Sequence, residues 1–223
     1  MLYLHETVHV PLHLQGEFFQ SAQEVLLPAM KELGVQRVGV WQHSSVKGDP
    51  SEIIAMWELN NWAHAGRVAD AARSGSVHAL RGWHEKVAPW VQQRRGQILR
   101  QRASESVLNR LERPATPPLF CFHETMHIEP NRERDYVRAM ETQLGPSMYN
   151  VGLRMYGEFQ PVFETGRIIN LWAVPNGFDS MAALGRGNPE EFLSGTYWME
   201  IGLALRKHWR SVWLTPAPLT LQA

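Results

Sequence analysis

The beginning of the chain alternates apolar and polar positions with a period of two. Residues 2–10 read LYLHETVHV, so leucine or valine fills every second position apart from Glu6. This alternation predicts a β-strand, because successive side chains of a strand point to opposite faces of the sheet. We expect the leucine and valine face to pack on helices and the face with His5, Thr7 and His9 to point the other way.

The same pattern returns in the second half of the chain. Residues 120–128 read FCFHETMHI, so the His-Glu-Thr-x-His core at 5–9 recurs at 123–127 with an offset of 118. A repeat of this kind predicts two copies of one structural unit. We expect domains at 1–113 and 119–223, joined by a proline-rich linker at 114–118. Further matches at an offset of 115 pair Trp41 with Tyr156 and Trp57 with Trp172, and Ser106-Val107 matches Ser211-Val212.

Each half has the same predicted order of elements: strand, helix, strand, strand, helix, strand. This order is typical of the split βαβ, ferredoxin-like unit. In the first half the predicted strands are 2–10, 35–45, 52–60 and 106–112, and the predicted helices are 15–33, 62–73 and 77–100. In the second half the strands are 120–128, 151–159, 166–174 and 211–214, and the helices are 131–144 (ended by Gly145-Pro146), 178–184 and 189–209.

Each half resembles a NIPSNAP or EthD-like domain of the dimeric α+β barrel superfamily. The resemblance lies in the opening strand with its following Pro or Gly and helix, LYLHETVHVPLHLQGEFF and LFCFHETMHIEPNRERDYV, and in the tryptophan-bearing third strands. It implies an α+β chain whose tandem ferredoxin-like repeats form one intramolecular dimeric α+β barrel. The superfamily includes cofactor-free monooxygenases, isomerases, cyclases, haem enzymes of the chlorite dismutase type and members without known activity, so the fold does not select a reaction.

Composition narrows the classes of partner. Lys plus Arg equals Asp plus Glu, 22 each, so the chain lacks the basic field that nucleic-acid binding needs. No apolar run reaches membrane-spanning length, and no signal peptide precedes the first strand. Cys121 is the only cysteine, which is compatible with a reducing compartment. We expect a cytoplasmic protein with a small-molecule substrate, no nucleic-acid or membrane partner, and any homo-oligomer formed through outer helices or loops.

The segments HETVH and HETMH also match the H-E-x-x-H pattern of zinc proteases. That pattern binds zinc on a helix, where residues i and i+4 lie on one face. On a strand the two histidines are roughly 13 Å apart at about 3.3 Å per residue, too far to bind one ion. We therefore expect neither a zinc protease nor a metal site.

The strand interpretation instead directs histidines from both halves into the interior of the barrel implied by the resemblance. Histidine suits proton transfer near neutral pH, and arginine suits holding an anionic oxygen. The predicted catalytic residues are His5, His9, His123, His127, Arg154 and Tyr156. The predicted substrate-binding residues are Arg37, Trp41, Trp57, Glu158, Asn170 and Trp172.

Bland alternatives stand beside this prediction. The four histidines could be packing residues copied by duplication. Glu6 and Glu124 lie on the apolar face, where each could be an acid or, more commonly, the partner of a buried Arg or Lys. Cys121 could be a nucleophile activated by His123. The histidines on predicted helices, namely His64, His78, His84 and His208, are expected to be solvated or structural.

The function predicted is that of a small-molecule enzyme that uses acid–base chemistry in a cavity and needs no cofactor. It would be an isomerase, cyclase, dehydratase or cofactor-free monooxygenase acting on a largely apolar, oxygenated substrate. Two alternatives stay open. One is a metal- or haem-dependent enzyme that uses the inward histidines, and the other is a non-catalytic, NIPSNAP-like protein that binds a small ligand.

Overall fold

The structure is a computed structural model, and it describes residues 1–46, 48–102, 120–150, 152–175, 177, 202 and 204–219. The chain divides into two compact units. Unit 1 comprises Met1–Leu99 and Thr215–Ala223, and unit 2 comprises Arg100–Leu214. The linker predicted at 114–118 lies outside the described residues. Both units contain helices and strands, so the mixed α+β class predicted from the sequence is confirmed.

Unit 1 is a sheet with helices on one face. Its strands are ordered β4-β1-β3-β2, and β3 is antiparallel to both β1 and β2. The longest helix is capped by the Asn61 side chain, which accepts from the His64 N–H at 2.9 Å, and it ends at Gly75 with φ 72°. The elements are β1 (Leu2–His9), α1 (Gln15–Ser21), α2 (Leu27–Glu32), β2 (Gln36–His43), β3 (Glu52–Leu59), α3 (Trp62–Ser74), α4 (His78–Val87) and β4 (Gln93–Gln101).

Unit 2 has the same relative strand order, β8-β5-β7-β6. Strand β7 is antiparallel to β5 and β6, and β8 is antiparallel to β5. A buried cluster that includes Met126, Tyr136, Met140 and Trp172 joins the sheet to the helix above it. The described elements are β5 (Cys121–Ile128), α5 (Glu133–Ala139), α6 (Gly145–Asn150), β6 (Arg154–Pro161), β7 (Arg167–Ala173) and β8 (Arg206–Pro216).

The two His-Glu-Thr-x-His segments are strands, as their alternation predicted. They lie within β1 and β5, so neither has the helical geometry of a zinc protease. The leucine side of β1 also meets helices as expected, because Leu4 lines a cavity together with Leu26 and Val68.

The predicted end of the second-half helix at Gly145-Pro146 is wrong. The helix widens into a π-helical turn at Met140–Leu144 and then continues as α6. Unit 1 has the equivalent feature, a π-helical turn at Ala22–Leu26 followed by Pro28 in the first turn of α2. Proline lacks an N–H and its ring clashes with the carbonyl four residues earlier, and the wider turn accommodates both effects.

The predictions for the last strand of each half need two corrections. The helix predicted at 77–100 ends at Val87, and Gln93–Gln101 forms β4. The helix predicted at 189–209 also extends too far, because β8 begins at Arg206. Strand β4 is rich in Gln and Arg, which favour helix locally, and pairing with neighbouring strands overrides that preference. The strand predicted at 106–112 and the helix at 178–184 lie outside the described residues.

A β-bulge in each unit corrects the alignment of the second strands. The register shifts between Arg37 and Gly39 in unit 1, and between Met155 and Gly157 in unit 2. At each glycine, a Cβ would lie about 2 Å from an aromatic ring two residues on, 2.1 Å from Trp41 and 2.2 Å from Phe159. Trp41 therefore corresponds to Phe159 with the original offset of 118, and its predicted match to Tyr156 is wrong.

Candidate active site

A cavity of about 160 Å³ lies in unit 1, between the sheet and the helices. One end is polar and carries Glu6 from β1, His84 from α4 and Arg94 from β4. The other walls are apolar, as expected of a small-molecule pocket with a few convergent polar groups. They are formed by Leu4, Leu26, Met30, Leu59, Ala65, Val68, Ala69, Ala72, Leu80 and Ile98.

Glu6 is held at this polar end by bonds to both carboxylate oxygens. Arg94 donates from Nε at 3.0 Å and from Nη2 at 2.5 Å to Oε1. The indole Nε1 of Trp57 donates to Oε2 at 2.9 Å. A carboxylate at a helix-facing strand position is thus stabilised by a cation and a hydrogen-bond donor. Of the two interpretations of Glu6, the partner of a buried basic residue is confirmed.

The same arginine fixes the protonation state of His84. Arg94 Nη1 lies 2.5 Å from His84 Nδ1. A guanidinium can only donate, so Nδ1 accepts and the ring proton is on Nε2. Burial, followed by the nearby charge of Arg94, lowers the pKa of His84 to about 4. The imidazole is therefore neutral near pH 7.

The corresponding carboxylate of unit 2 has different partners. Glu124 accepts from the Nε1 atoms of Trp172 at 2.8 Å and Trp209 at 3.1 Å. Burial raises the pKa of this carboxyl, while both indole donors and the charge of Arg206 act in the opposite direction. The tryptophan–carboxylate pair thus recurs in both units, Trp57 with Glu6 and Trp172 with Glu124.

A row of buried polar residues continues from Glu124 across the sheet of unit 2. The register places Glu124 opposite Asn170, and Asn170 opposite Glu158. Asn170 donates to the Tyr136 hydroxyl at 3.1 Å, whereas Asn170 Oδ1 and Glu158 Oε1 have no hydrogen-bond partner among the described residues. Burial, reinforced by the charge of Glu141, raises the pKa of Glu158 to about 8.

The predicted histidines of unit 1 lie on the opposite face of β1 from Glu6. His5 is buried, and its Nδ1 is 3.2 Å from Gln97 Nε2. His9 is partly exposed at the end of the strand, where its Nε2 lies 3.9 Å from Glu52 Oε2. The same oxygen lies 3.2 Å from Nδ1 of the buried His43, a residue that the sequence did not single out. Trp41 shares this face, since it and Thr7 both pair with Ile54.

In unit 2, His123 is buried whereas His127 is exposed, with its ring 6.2 Å from that of His208. Arg154 pairs with Ala173, which also pairs with Cys121, so Arg154 shares the face of His123. Its Nη1 donates to the carbonyl of Leu153 at 2.8 Å. Tyr156 is the extra residue of the bulge and is buried.

The remaining predicted residues are on the helix-facing side and do not join the histidines. Trp57 and Trp172 bond the two glutamates, and Asn170 lies beside Glu124. The bulges explain the other two: one extra residue reverses the alternation, so Arg37 pairs with Trp57 and Glu158 pairs with Asn170. Burial lowers the pKa of Arg37.

His84 and Arg94 are the cavity residues that sequence reasoning missed. His84 was expected to be solvated or structural, and Arg94 was assigned to a helix. The available signal was Glu6, a carboxylate at an apolar strand position that requires a basic partner. Pattern alone could not choose Arg94 among the 22 lysines and arginines of the chain.

Three further findings concern the described part of the chain. It holds no group of three His, Cys, Asp or Glu side chains arranged to bind a metal ion. The cysteine Cys121 is free and buried. Within the described ranges, every helix is too short or too polar to cross a membrane.

Comparison with known proteins identifies the fold. A protein from Lactobacillus acidophilus named "putative monooxygenase" covers 100% of this chain and 96% of its own, with a TM-score of 0.65 and 10% identity. A Fusobacterium nucleatum protein of the same name covers 97% and 92%, with a TM-score of 0.61 and 9% identity. A NIPSNAP domain protein from Burkholderia xenovorans covers 46% of this chain and 96% of its own, with a TM-score of 0.40 and 18% identity.

No protein-family model and no curated protein sequence matches the chain. The two whole-chain likenesses, at about one residue in ten identical, establish a shared fold and nothing finer. The predicted resemblance to NIPSNAP and related α+β barrel proteins is therefore confirmed at the level of the fold.

Proposed function

We propose that the protein is a small-molecule enzyme that uses acid–base chemistry on a largely apolar, oxygenated substrate. The observation that supports this most directly is the cavity of unit 1, which has apolar walls and a carboxylate–guanidinium–imidazole cluster at one end. The names of the whole-fold neighbours agree with a role in small-molecule chemistry. The proposal includes the finer fold assignment, tandem ferredoxin-like repeats closing one barrel, which the equal strand order of the two units supports.

The reaction proposed is proton abstraction from a carbon next to a carbonyl group. A carboxylate has about four lone-pair sites, and Glu6 uses three of them for Arg94 and Trp57, so one remains. Glu6 would take the proton, and the electron pair of the broken C–H bond would move to the carbonyl oxygen as an enolate. The neutral Nε2–H of His84 and the charge of Arg94 would stabilise that oxygen. Return of the proton to another carbon completes an isomerisation, and an enolate can also react with molecular oxygen.

Deuterium exchange tests this step without knowledge of the natural substrate. A panel of small aryl and cyclic ketones is incubated with the protein in D2O, and loss of α-protons is followed by NMR. We expect acceleration over buffer for at least one ketone. We expect Glu6→Gln to reduce it by roughly two to four powers of ten, the usual contribution of a general base. The exposed Glu17→Gln serves as the matched control.

The predicted role of His5, His9, His123 and His127, with Arg154 and Tyr156, remains a second proposed location for the chemistry. The exchange assay separates the two locations. Loss of exchange in His5→Ala and His123→Ala, with Glu6→Gln fully active, would place the reaction on the histidine face. Acceleration by none of the ketones would refute the proton-abstraction proposal.

The two open alternatives have distinct signatures. A haem or metal enzyme would show a visible absorption band or stoichiometric metal in the purified protein. A non-catalytic binding protein would bind ketones in the cavity without accelerating exchange.

A further inference from the structure

The polar end of the unit 1 cavity offers hydrogen-bond donors and almost no free acceptor. Arginine has five N–H donors. Arg94 spends three of them, two on Glu6 and one on His84, so two remain. His84 accepts through Nδ1 and keeps its Nε2–H, which bonds nothing among the described residues. Three of the roughly four acceptor sites of Glu6 are already occupied.

Charge at this end is balanced. The carboxylate of Glu6 neutralises the guanidinium of Arg94, and His84 is neutral because Arg94 donates to its Nδ1. An incoming cation therefore meets no net negative charge, and its N–H groups would face N–H groups. A ligand that brings an acceptor oxygen, by contrast, meets donors whose orientation is fixed before it binds.

Size sets the second constraint. The cavity volume of about 160 Å³ is close to that of an engineered apolar protein cavity of about 150 Å³ that binds benzene. The walls are leucine, isoleucine, valine, methionine and alanine, which provide apolar contact and no competing polar group.

We propose that the chain Glu6–Arg94–His84 makes this cavity selective for a compact, single-ring ligand that bears an acceptor oxygen, a carbonyl or a phenolate. In this arrangement His84 is the specificity-determining donor, and Arg94 is the residue that positions it. The inference rests on the proposed function, because it names the substrate class of the same cavity. It assigns no further step to the reaction.

An isosteric pair of probes tests the selectivity by calorimetric titration of the full-length protein at pH 7. Acetophenone carries a carbonyl where α-methylstyrene carries a CH2 group, and 1-phenylethylamine carries an ammonium instead. We expect acetophenone to bind about three- to tenfold more tightly than α-methylstyrene, the effect of one hydrogen bond. The ammonium compound is expected to bind most weakly.

Variants locate the source of the preference. His84→Phe keeps a ring but removes the donor, so the two isosteres should bind equally. His84→Gln restores a side-chain N–H and should recover part of the preference. His78→Phe, an exposed site on the same helix, is the matched control and should behave as the wild-type protein. Circular dichroism verifies that each variant is folded.

A separate measurement addresses Arg94 if His84→Phe does not fold. Nitrogen-15 NMR of the wild-type protein should show His84 neutral at pH 7 with its proton on Nε2. Arg94→Met should change that signal towards a tautomer mixture and reduce the acetophenone preference. A His84 proton on Nδ1 in the wild-type protein would overturn the inference.

The binding outcomes separate this inference from the proposed function. Equal binding of acetophenone and α-methylstyrene by the wild-type protein would overturn the selectivity and leave the cavity as a binding site. A preference that survives in His84→Phe would also overturn it. Binding of none of the three probes would refute both the selectivity and the assignment of this cavity as the substrate site.

Discussion

The buried carboxyl of Glu158 predicts a stability that depends on pH in a specific direction. Burial, then the charge of Glu141, raises its pKa from 4.5 to about 8, while Arg102 acts the other way. The folded protein therefore holds a proton that the unfolded chain releases above pH 4.5. The stability that this proton contributes is complete below pH 4.5 and is lost as the pH rises towards 8.

The size of the effect follows from the difference between the two pKa values. Each pH unit within the window lowers the free energy of unfolding by up to about 1.4 kcal/mol. Between pH 5.5 and pH 8 the loss for this one group is on the order of 3 kcal/mol. Glu158→Gln has no such proton, so its free energy of unfolding should gain that amount over the wild-type protein across the same interval. A fixed difference that arises from the amide itself would not vary with pH.

The measurement is urea unfolding of both proteins at several pH values from 5.5 to 8.5, followed by tryptophan fluorescence. Glu141→Gln removes the neighbouring negative charge, which lowers the pKa of Glu158, so its pH-dependent loss should be smaller. Glu17→Gln removes an exposed carboxyl and should follow the wild-type curve. Parallel curves for wild type and Glu158→Gln would refute the assignment of a neutral, buried Glu158.

Three other predictions follow from packing, hydrogen bonding and charge. Gly39→Ala, whose Cβ would overlap an aromatic ring, should lower the free energy of unfolding by about 1–3 kcal/mol, whereas Gly82→Ala in open space on α4 should raise it by about 0.5–1 kcal/mol in urea titrations. Trp57→Phe removes the donor to Glu6 Oε2 and should cost about 1–3 kcal/mol in the same assay. His84 has its pKa lowered to about 4, so its neutral form should lose stability as the pH falls from 6.5 towards 4, and His84→Gln should lack this loss in melting curves.

Local alternation determined much of the fold. The two His-Glu-Thr-x-His strands, the hairpin strands and the first helix of each unit are all recorded in the spacing of apolar residues, because their buried faces repeat every two or every 3.6 positions. The need of Glu6 for a basic partner was also visible, since a carboxylate rarely occupies an apolar strand face unpaired.

Other features could not be predicted from local pattern. Strand β4 has no buried face strong enough to produce alternation: its first five residues are exposed, and pairing with neighbouring strands makes it a strand. The bulges at Gly39 and Gly157 reverse the alternation along β2 and β6. They place Arg37 and Glu158 on the helix-facing side of the sheet, away from the histidines.

The candidate site shows the same division. The sequence by itself determined that two similar strands each place a glutamate among apolar residues and histidines on the opposite face. Only the tertiary structure decided that Arg94, 88 residues along the chain from Glu6, and His84 on α4 would complete the polar end of a cavity. The physical reason is that strand alternation is a property of neighbouring residues, whereas a partner for a buried charge is selected by which strands and helices pack together.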